Sequence, residues 1–265
     1  MSARVAVLVY PGTNSEDETV RALQAAGLAA EAVHWSRGGH ALRAYDAFVL
    51  PGGFAYEDRV RAGAVAAHDE LTDAIVEAAQ AGKFVLGICN GAQILLEAGL
   101  VPGTGPPRCP TAAFAPNRDG GRYLCRHVYV RLAVSPAHIP ALGGLRDAAV
   151  IPMWVSHGDG RLAAVPEELA RLQAGGHVAF VYSDAAGAAV GAPQGSALNC
   201  AGLINAGGTV VALMPHPERD AWTFMHRDGD AKLRARGDRA AMLAPSGGSV
   251  IFAAFAHALR GAAVR

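Results

Sequence analysis

The chain has 265 residues, 51% of them hydrophobic, with 23 basic and 23 acidic side chains. This length allows one large domain or two small ones, and the balanced charge argues against nucleic acid or a membrane surface as the main partner. No apolar stretch approaches the roughly 18 to 20 residues of a membrane span and no signal-peptide pattern is present, so we expect a cytosolic protein.

The first half of the sequence predicts short buried strands that alternate with helices. The predicted strands cover residues 4–9, 29–34 and 47–50. A first helix follows Ser15, whose spacing to Glu18 matches a capping box, and it ends near Ala26. A second helix is predicted over 62–81 and ends at Gly82. This alternation is typical of an α/β fold with a doubly wound, mostly parallel sheet flanked by helices.

A glycine pair follows the third predicted strand, in Pro51-Gly52-Gly53-Phe54. Paired glycines allow backbone amides to approach a ligand closely at the carboxyl edge of a sheet. In isolation, an ordinary turn explains the same residues equally well.

The stretch 84–96 predicts a buried strand, a tight turn at Cys89 and a helix. Glycines two residues before and after Cys89 reproduce the spacing of a nucleophile elbow, with cysteine in place of serine. The positive end of a helix dipole favours the thiolate at such a position. The alternative is a small buried cysteine beside an Asn90-Gly91 hairpin turn, but Ile94, Leu95 and Ala98 keep helical spacing.

The second half predicts further strands and a final helix. Strands are predicted over 123–134, 151–155, 177–182, 198–204 and 210–214, and an amphipathic helix over 250–259. The first of these strands alternates as expected in an added antiparallel section. Proline and glycine predict a loop over 101–121, and 220–248 is a charged segment. We find no internal repeat and no linker, so residues 1–265 are predicted to form a single domain.

His216 is the candidate general base for Cys89. It follows a buried strand, lies between two prolines, and precedes Glu218 by two residues. One rigid turn can therefore present an imidazole and the carboxylate that orients it. A lone His-x-Glu motif is weak evidence for a catalytic pair, but this motif follows both a cysteine elbow and a Gly-Gly loop in the sequence.

The remaining cysteines, Cys109, Cys125 and Cys200, show no paired spacing with Cys89 or with one another. We therefore predict neither a disulfide framework nor a metal site, and the pattern fits a reducing compartment.

Together, the motifs at 51–54, 87–91 and 214–219 resemble those of the class I (triad) glutamine amidotransferases. The chain is more narrowly similar to the glutaminase subunits of phosphoribosylformylglycinamidine synthases, over nearly its whole length. This narrower resemblance rests on residues 10–14, 54–58, 61–63, 90, 124–126 and 156–161. The sequence departs from that family at Ser15, Asp159 and Gln194, and in apparently longer segments at 101–116 and 220–248. Contacts with partners are the property that these departures affect.

The resemblance implies a mechanism. Cys89 attacks the side-chain amide of glutamine, His216 transfers protons and Glu218 orients the imidazole. Backbone amides of Asn90 and of Gly53 or Phe54, beside Gly52, form the oxyanion hole. Gln93 holds the amino-acid end of glutamine, although a plain helix-surface position explains Gln93 equally well.

The resemblance also implies partners. Ammonia passes to a large synthetase subunit, often bridged by a small third protein, for ATP-dependent amidination of formylglycinamide ribonucleotide in purine biosynthesis. We expect no cofactor in this chain, with ATP and Mg on the synthetase subunit, because the sequence lacks a Gly-x4-Gly-Lys motif.

Three alternatives remain at this point. The chain could serve another amidotransferase, act as a stand-alone cysteine amidohydrolase, or use Cys89 as a redox sensor. A redox sensor needs no general base, so the presence of His216 and Glu218 argues against that alternative.

Overall fold

A computed structural model describes residues 2–106, 108–228 and 239–262. The strands are Arg4–Val9 (β1), Ala29–His34 (β2), Ala47–Leu50 (β3), Phe84–Ile88 (β4), Ala113–Ala115 (β5), Leu124–Leu132 (β6), Val150–His157 (β7), Arg161–Ala163 (β8), Val178–Ser183 (β9), Cys200–Ile204 (β10) and Val210–Leu213 (β11). The α-helices are Glu16–Ala25 (α1), Glu70–Gln80 (α2), Asn90–Glu97 (α3), Arg118–Gly121 (α4), Pro166–Ala174 (α5), Arg239–Met242 (α6) and Ser249–Ala262 (α7).

Nine strands form one sheet in the order β2-β1-β3-β4-β11-β10-β9-β6-β7. The pairs from β2 to β11 are parallel, and those from β11 to β7 are antiparallel. This confirms the predicted α/β class with its antiparallel section. Within the described ranges, no helix is long and apolar enough to cross a membrane.

Strands β4 and β11 are the neighbours that place the candidate site. Their parallel register pairs Gly87 with Ala212 and Ile88 with Leu213, and every residue of β11 is buried. Each strand reads as a continuous apolar run because the sheet is covered on both faces. Cys89 and the turn carrying His216 therefore emerge at the same carboxyl edge.

Helix α1 begins where the sequence predicted, but the predicted capping box is wrong. The Ser15 side chain makes no capping hydrogen bond. Its hydroxyl instead donates to Asn14 and accepts from Arg219, both at 3.2 Å. The hydroxyl thus joins the start of α1 to the turn that follows β11.

Helix α2 starts later than the predicted residue 62. The carboxylate of Asp69 accepts the N–H of Leu71 at 2.8 Å and caps the helix there. Gly63, at φ +80°, leaves the helical region, and a 3-10 turn at Ala66–His68 precedes the cap. Apolar spacing could not separate this turn from the helix.

The structure describes all but one residue of the proline-rich segment 101–121 and part of the charged segment 220–248. Within 101–121, Ala113–Ala115 pairs with β8 and Arg118–Gly121 forms a short helical turn, so the predicted loop contains two short elements. Within the 220–248 segment, residues 229–238 lie outside the described residues.

Candidate active site

Cys89 lies in a strained turn between β4 and α3. Its backbone has φ +50° and ψ −106°, a region that side-chain-bearing residues seldom adopt. The Cys89 N–H donates to the Leu213 carbonyl at 2.8 Å, which fixes the turn to β11. The side chain is buried, and Sγ lies 3.7 Å from the carbonyl oxygen of Ser156.

The two glycines around Cys89 are required by close packing. A Cβ on Gly91 would lie 1.9 Å from the Leu50 carbonyl oxygen, and a Cβ on Gly87 would lie 2.7 Å from that of Gly91. Both distances are shorter than a real Cβ contact. The glycines thus let the start of α3 approach β3 and β4, as an elbow requires.

His216 and Glu218 form a buried pair on the turn after β11. The His216 Nδ1 lies 2.5 Å from Oε1 of Glu218, and neither side chain is more than 2% exposed. A carboxylate only accepts, so Nδ1 carries a proton and Nε2 is the ring nitrogen left to exchange protons with a substrate. Within the described residues, Nε2 of His216 has no hydrogen-bond partner.

The environment of His216 favours its charged form. Burial lowers the pKa of the imidazole, but the negative charges of Glu218 and Cys89 outweigh it and raise the pKa well above its usual range. The pKa of His216 therefore depends on the charge at Cys89 as well as on that of Glu218. An imidazolium next to a thiolate is the pair that a cysteine nucleophile uses.

The His216 backbone is fixed by β7. Its N–H donates to the Trp154 carbonyl at 2.7 Å, in an isolated antiparallel bridge. The antiparallel section of the sheet thereby positions a residue that follows a parallel strand.

The Gly-Gly loop supplies a free amide beside the site. The N–H of Phe54 donates to the Gly12 carbonyl at 2.9 Å, whereas the Gly53 N–H has no acceptor in the described part of the chain. The Asn90 N–H, at the first turn of α3, is likewise free of an acceptor there. Of the sequence-predicted oxyanion donors, Gly53 and Asn90 are therefore available and Phe54 is occupied.

The Asn90 side chain holds the Gly-Gly loop in place. Its Oδ1 accepts the Ala55 N–H, and its Nδ2 donates to Asp58 Oδ1 and to Gln93 Oε1, all at 2.9 Å. Gln93 in turn donates to the Asp159 carbonyl at 2.5 Å. Gln93 is buried, so the helix-surface alternative is wrong.

The loop after Phe54 is held in an unfavourable backbone conformation. Tyr56, Glu57, Asp58 and Val60 have φ between +51° and +72°. Each such residue costs of the order of 1 kcal/mol or more and persists only where its surroundings impose it. Asn90 imposes it at Asp58, and the Tyr56 hydroxyl does so by donating to Asp69 at 2.5 Å.

The polar cluster 156–161 also borders the site. His157 is buried, and its Nδ1 donates to Asn117 Oδ1 at 3.2 Å. Burial and the charge of His216 lower the pKa of His157 to about 4. His157 is therefore neutral near pH 7 and is not a second proton carrier.

Sequence reasoning gave no role to several residues that shape the site. These are Gly12, Ala55, Asp58, Asn117, Trp154 and His157, which act through backbone contacts or support other side chains. Residues 156–161 were singled out for their chemistry, which is the signal that leads to His157. Nothing in the sequence pattern identifies Trp154, because its contact is made by the main chain.

A family model supports this geometry. The CobB/CobQ-like glutamine amidotransferase domain matches residues 2–242.

Individual relatives agree. A phosphoribosylformylglycinamidine synthase subunit PurQ from Symbiobacterium thermophilum is 44% identical over 220 residues, covering 82% of this chain and 87% of that protein. The PurQ subunit of Pyrococcus furiosus is 38% identical over 232 residues, covering 87% and 95%. Among solved structures, the chain is similar to one in PurLQS from Thermotoga maritima, with a TM-score of 0.73, 27% identity and coverage of 99% and 100%.

Proposed function

We infer the roles of the site residues from the premise that the chain belongs to the CobB/CobQ-like glutamine amidotransferase family and is the glutaminase subunit of a phosphoribosylformylglycinamidine synthase. In this proposal Cys89 is the nucleophile, His216 the general base and acid, and Glu218 the residue that orients His216. The observation that carries it is the buried Glu218–His216 pair, which leaves Nε2 without a partner among the described residues and whose imidazole pKa is raised by Cys89 as well as by Glu218.

The first chemical step forms a thioester. The Cys89 thiolate attacks the side-chain amide carbon of glutamine, and the carbonyl π electrons move to oxygen. His216 then donates its Nε2 proton to the amide nitrogen, and ammonia leaves as the C–N bond breaks. In the second step His216 removes a proton from water, and the oxygen attacks the thioester carbon. The C–S bond breaks as the carbonyl re-forms, which releases glutamate with one proton to solvent and restores the thiolate beside the imidazolium.

Gly53 and Asn90 are the oxyanion donors in this proposal. Both N–H groups lack an acceptor in the described structure, so no existing hydrogen bond has to break when the oxyanion forms. Such preorganised donors are typically worth about 3 kcal/mol of barrier each. Gln93 contributes by holding Asp159 and Asn90, and through them the wall of the glutamine pocket.

The partner completes the reaction. The chain works with a large synthetase subunit and a small subunit. The large subunit uses the ammonia for the amidination step of purine biosynthesis. ATP and Mg belong, in this proposal, to the synthetase subunit. The sequence supports this because it has no Gly-x4-Gly-Lys phosphate loop. A cytoplasmic location is part of the same proposal, and cell fractionation tests it.

The test uses the reconstituted complex. Cys89→Ala should abolish glutamine-dependent amidination and leave amidination from added ammonium salt close to that of the unmodified complex. Cys109→Ala is the matched control, because this exposed cysteine lies outside the site.

Two outcomes would contradict the assignment. If ammonia-dependent synthesis fell to the same degree, Cys89 would be needed for more than glutamine hydrolysis. If the isolated chain hydrolysed glutamine as fast as the complex, a stand-alone amidohydrolase would be the better description.

A further inference from the structure

A second cluster of reactive side chains lies outside the triad, formed by His127, Asp220 and His226. His127 is on β6, Asp220 follows the triad turn, and His226 lies in the next loop. Their candidate ligand atoms all lie within 4.8 Å of one another. The glutaminase mechanism uses none of the three.

The contacts converge on one carboxylate. Nε2 of His127 lies 2.8 Å from Asp220 Oδ2, and Nδ1 of His226 lies 3.0 Å from both carboxylate oxygens. The Ser246 hydroxyl donates to Oδ1 at 2.8 Å. Four chain segments therefore meet at one buried group.

The charge of Asp220 is the reason to look for a cation. Its side chain is 0% exposed, and those of His127 and His226 are 3% and 10% exposed. Among the described residues, no lysine or arginine lies within ion-pair distance of Asp220. A buried carboxylate is costly unless a positive charge compensates it, and among the described residues that charge has to come from the two imidazoles or from a bound cation.

Two imidazoles and one carboxylate are a donor set that suits zinc. Tetrahedral zinc with bonds of about 2.0 to 2.2 Å separates its ligand atoms by roughly 3.3 Å. The two histidine–carboxylate separations of 2.8 and 3.0 Å need to widen by a few tenths of an ångström, and the two imidazole nitrogens already lie within 4.8 Å of each other. The outer nitrogen of His226 also faces Asp228 Oδ2 at 4.0 Å, as zinc-binding histidines commonly face a carboxylate.

We propose that His127, Asp220 and His226 bind one Zn²⁺ ion, with water or the Ser246 hydroxyl as the fourth ligand. The ion neutralises the buried carboxylate and joins β6 to the turn that carries Glu218, two residues before Asp220. It is a structural ion and takes no part in the chemistry at Cys89. The sequence gave no sign of it, because two of the ligands are far from His127 along the chain.

Zinc titration calorimetry tests the proposal. The full chain carrying Cys89→Ser is used as the parent, so that the thiol and imidazole of the triad do not bind zinc together. The parent should bind one zinc ion and show a raised melting temperature. His127→Gln and His226→Gln should each weaken binding by more than about 100-fold, beyond the usual effect of losing an outer-shell partner. His257→Gln, at an exposed position on α7, is the matched control and should bind as the parent does.

Each outcome of the zinc titration either supports or overturns the proposed site. Absence of zinc binding by the parent, or equal affinity in His127→Gln and the parent, overturns the proposal and leaves a hydrogen-bonded cluster. Should either ligand variant fail to fold by circular dichroism, X-ray absorption of the zinc-loaded parent decides. Two imidazoles and no sulfur in the first shell support the site, and any other ligand set refutes it.

Discussion

The ring of His216 occupies the space that a side chain on Gly52 would need. A Cβ added to Gly52 would lie 2.6 Å from Cε1 and 3.3 Å from Nδ1 of the imidazole. The loop that carries the free Gly53 amide therefore packs directly against the base. The sequence predicted a close approach to a ligand here, and the structure adds a close approach to His216.

Gly52→Ala should therefore impair catalysis far more than folding. The methyl group displaces the imidazole, and misplacing a catalytic group by about 1 Å costs on the order of 100-fold in rate. Glutaminase kcat in the complex is the measurement. Gly191→Ala is the control, because a Cβ there meets nothing within 4 Å. Equal kcat values for the two variants would contradict the argument.

Glu218→Gln should be less damaging than His216→Ala. In a serine triad, losing the carboxylate costs about 3 × 10⁴ in kcat and losing the base about 2 × 10⁶. The same order is expected here because Glu218 only orients and charges the imidazole, through the 2.5 Å contact with Nδ1. Steady-state glutamine hydrolysis by the complex measures both. A larger loss in Glu218→Gln would assign Glu218 a direct chemical role.

Asn90→Ala should lower kcat more than it raises KM. The substitution removes the hydrogen bonds to Ala55, Asp58 and Gln93 and frees the strained loop beside Gly53. We expect a loss of roughly 100-fold, the scale for losing one oxyanion donor.

The control for this variant is Asn205→Ala. The Asn205 side chain also makes three local hydrogen bonds, in the turn before β11, away from the triad. Similar losses of kcat in both variants would mean that general destabilisation, rather than the loop, is being measured.

Cys89 should be the one cysteine labelled by a glutamine-shaped electrophile, and glutamine should protect it. Cys109 and Cys125 are exposed, so they compete for a small general alkylating agent. Cys200 is buried, which raises the pKa of its thiol to about 12 and makes it unreactive near neutral pH. Peptide mass spectrometry after brief labelling reports all four. Labelling of Cys109 by the glutamine analogue would reject the prediction.

His157 should make the protein less stable in acid. Its pKa is about 4 in the folded chain, against about 6.5 when unfolded, because burial and His216 oppose its charge. The unfolded chain therefore binds an extra proton between these values. The stability from this group is complete above pH 6.5 and falls by about 3 kcal/mol as the pH drops to about 4.

His157→Asn should reduce this loss of stability at acid pH, because asparagine can still donate a hydrogen bond to Asn117 and does not titrate. Denaturant unfolding at pH 4.5 and pH 7 measures the difference. His138→Asn, at an exposed position, should keep the acid loss of the unmodified chain. If the free energy of unfolding still fell by the same amount between pH 7 and pH 4.5 in His157→Asn, the acid-sensitive group would be another residue.

Much of the fold followed from local patterns. The three predicted strands of the first half match β1, β2 and β3 at both ends. For β1 and β3 the reason is that buried parallel strands are nearly unbroken apolar runs between turn residues, whereas β2 is a largely exposed edge strand. The start of α2 was wrong by several residues, since Asp69 caps the helix where apolar spacing alone continues it. The Ser15 capping box failed for a different reason, because the hydroxyl is engaged by the distant Arg219.

The site was predictable where its chemistry is local. Cys89, with its flanking glycines, and His216 with Glu218 each lie in a short motif. The choice of Gly53 over Phe54 was not predictable, because it depends on a hydrogen bond from Phe54 to the Gly12 carbonyl. The cluster around Asp220 was hidden for the same reason, as its members meet only after the sheet has formed.

The central position of β11 has a consequence for synthesis on the ribosome. Strand β11 lies between β4 and β10, so a nascent chain that stops before residue 210 leaves β4 with only one of its two parallel neighbours, β3. Such an intermediate has an exposed strand edge, which is prone to pair with other chains. It also carries Cys89 without His216. On the proposed mechanism, incomplete polypeptides are therefore unable to hydrolyse glutamine, and the site is assembled only when β11 enters the middle of the sheet.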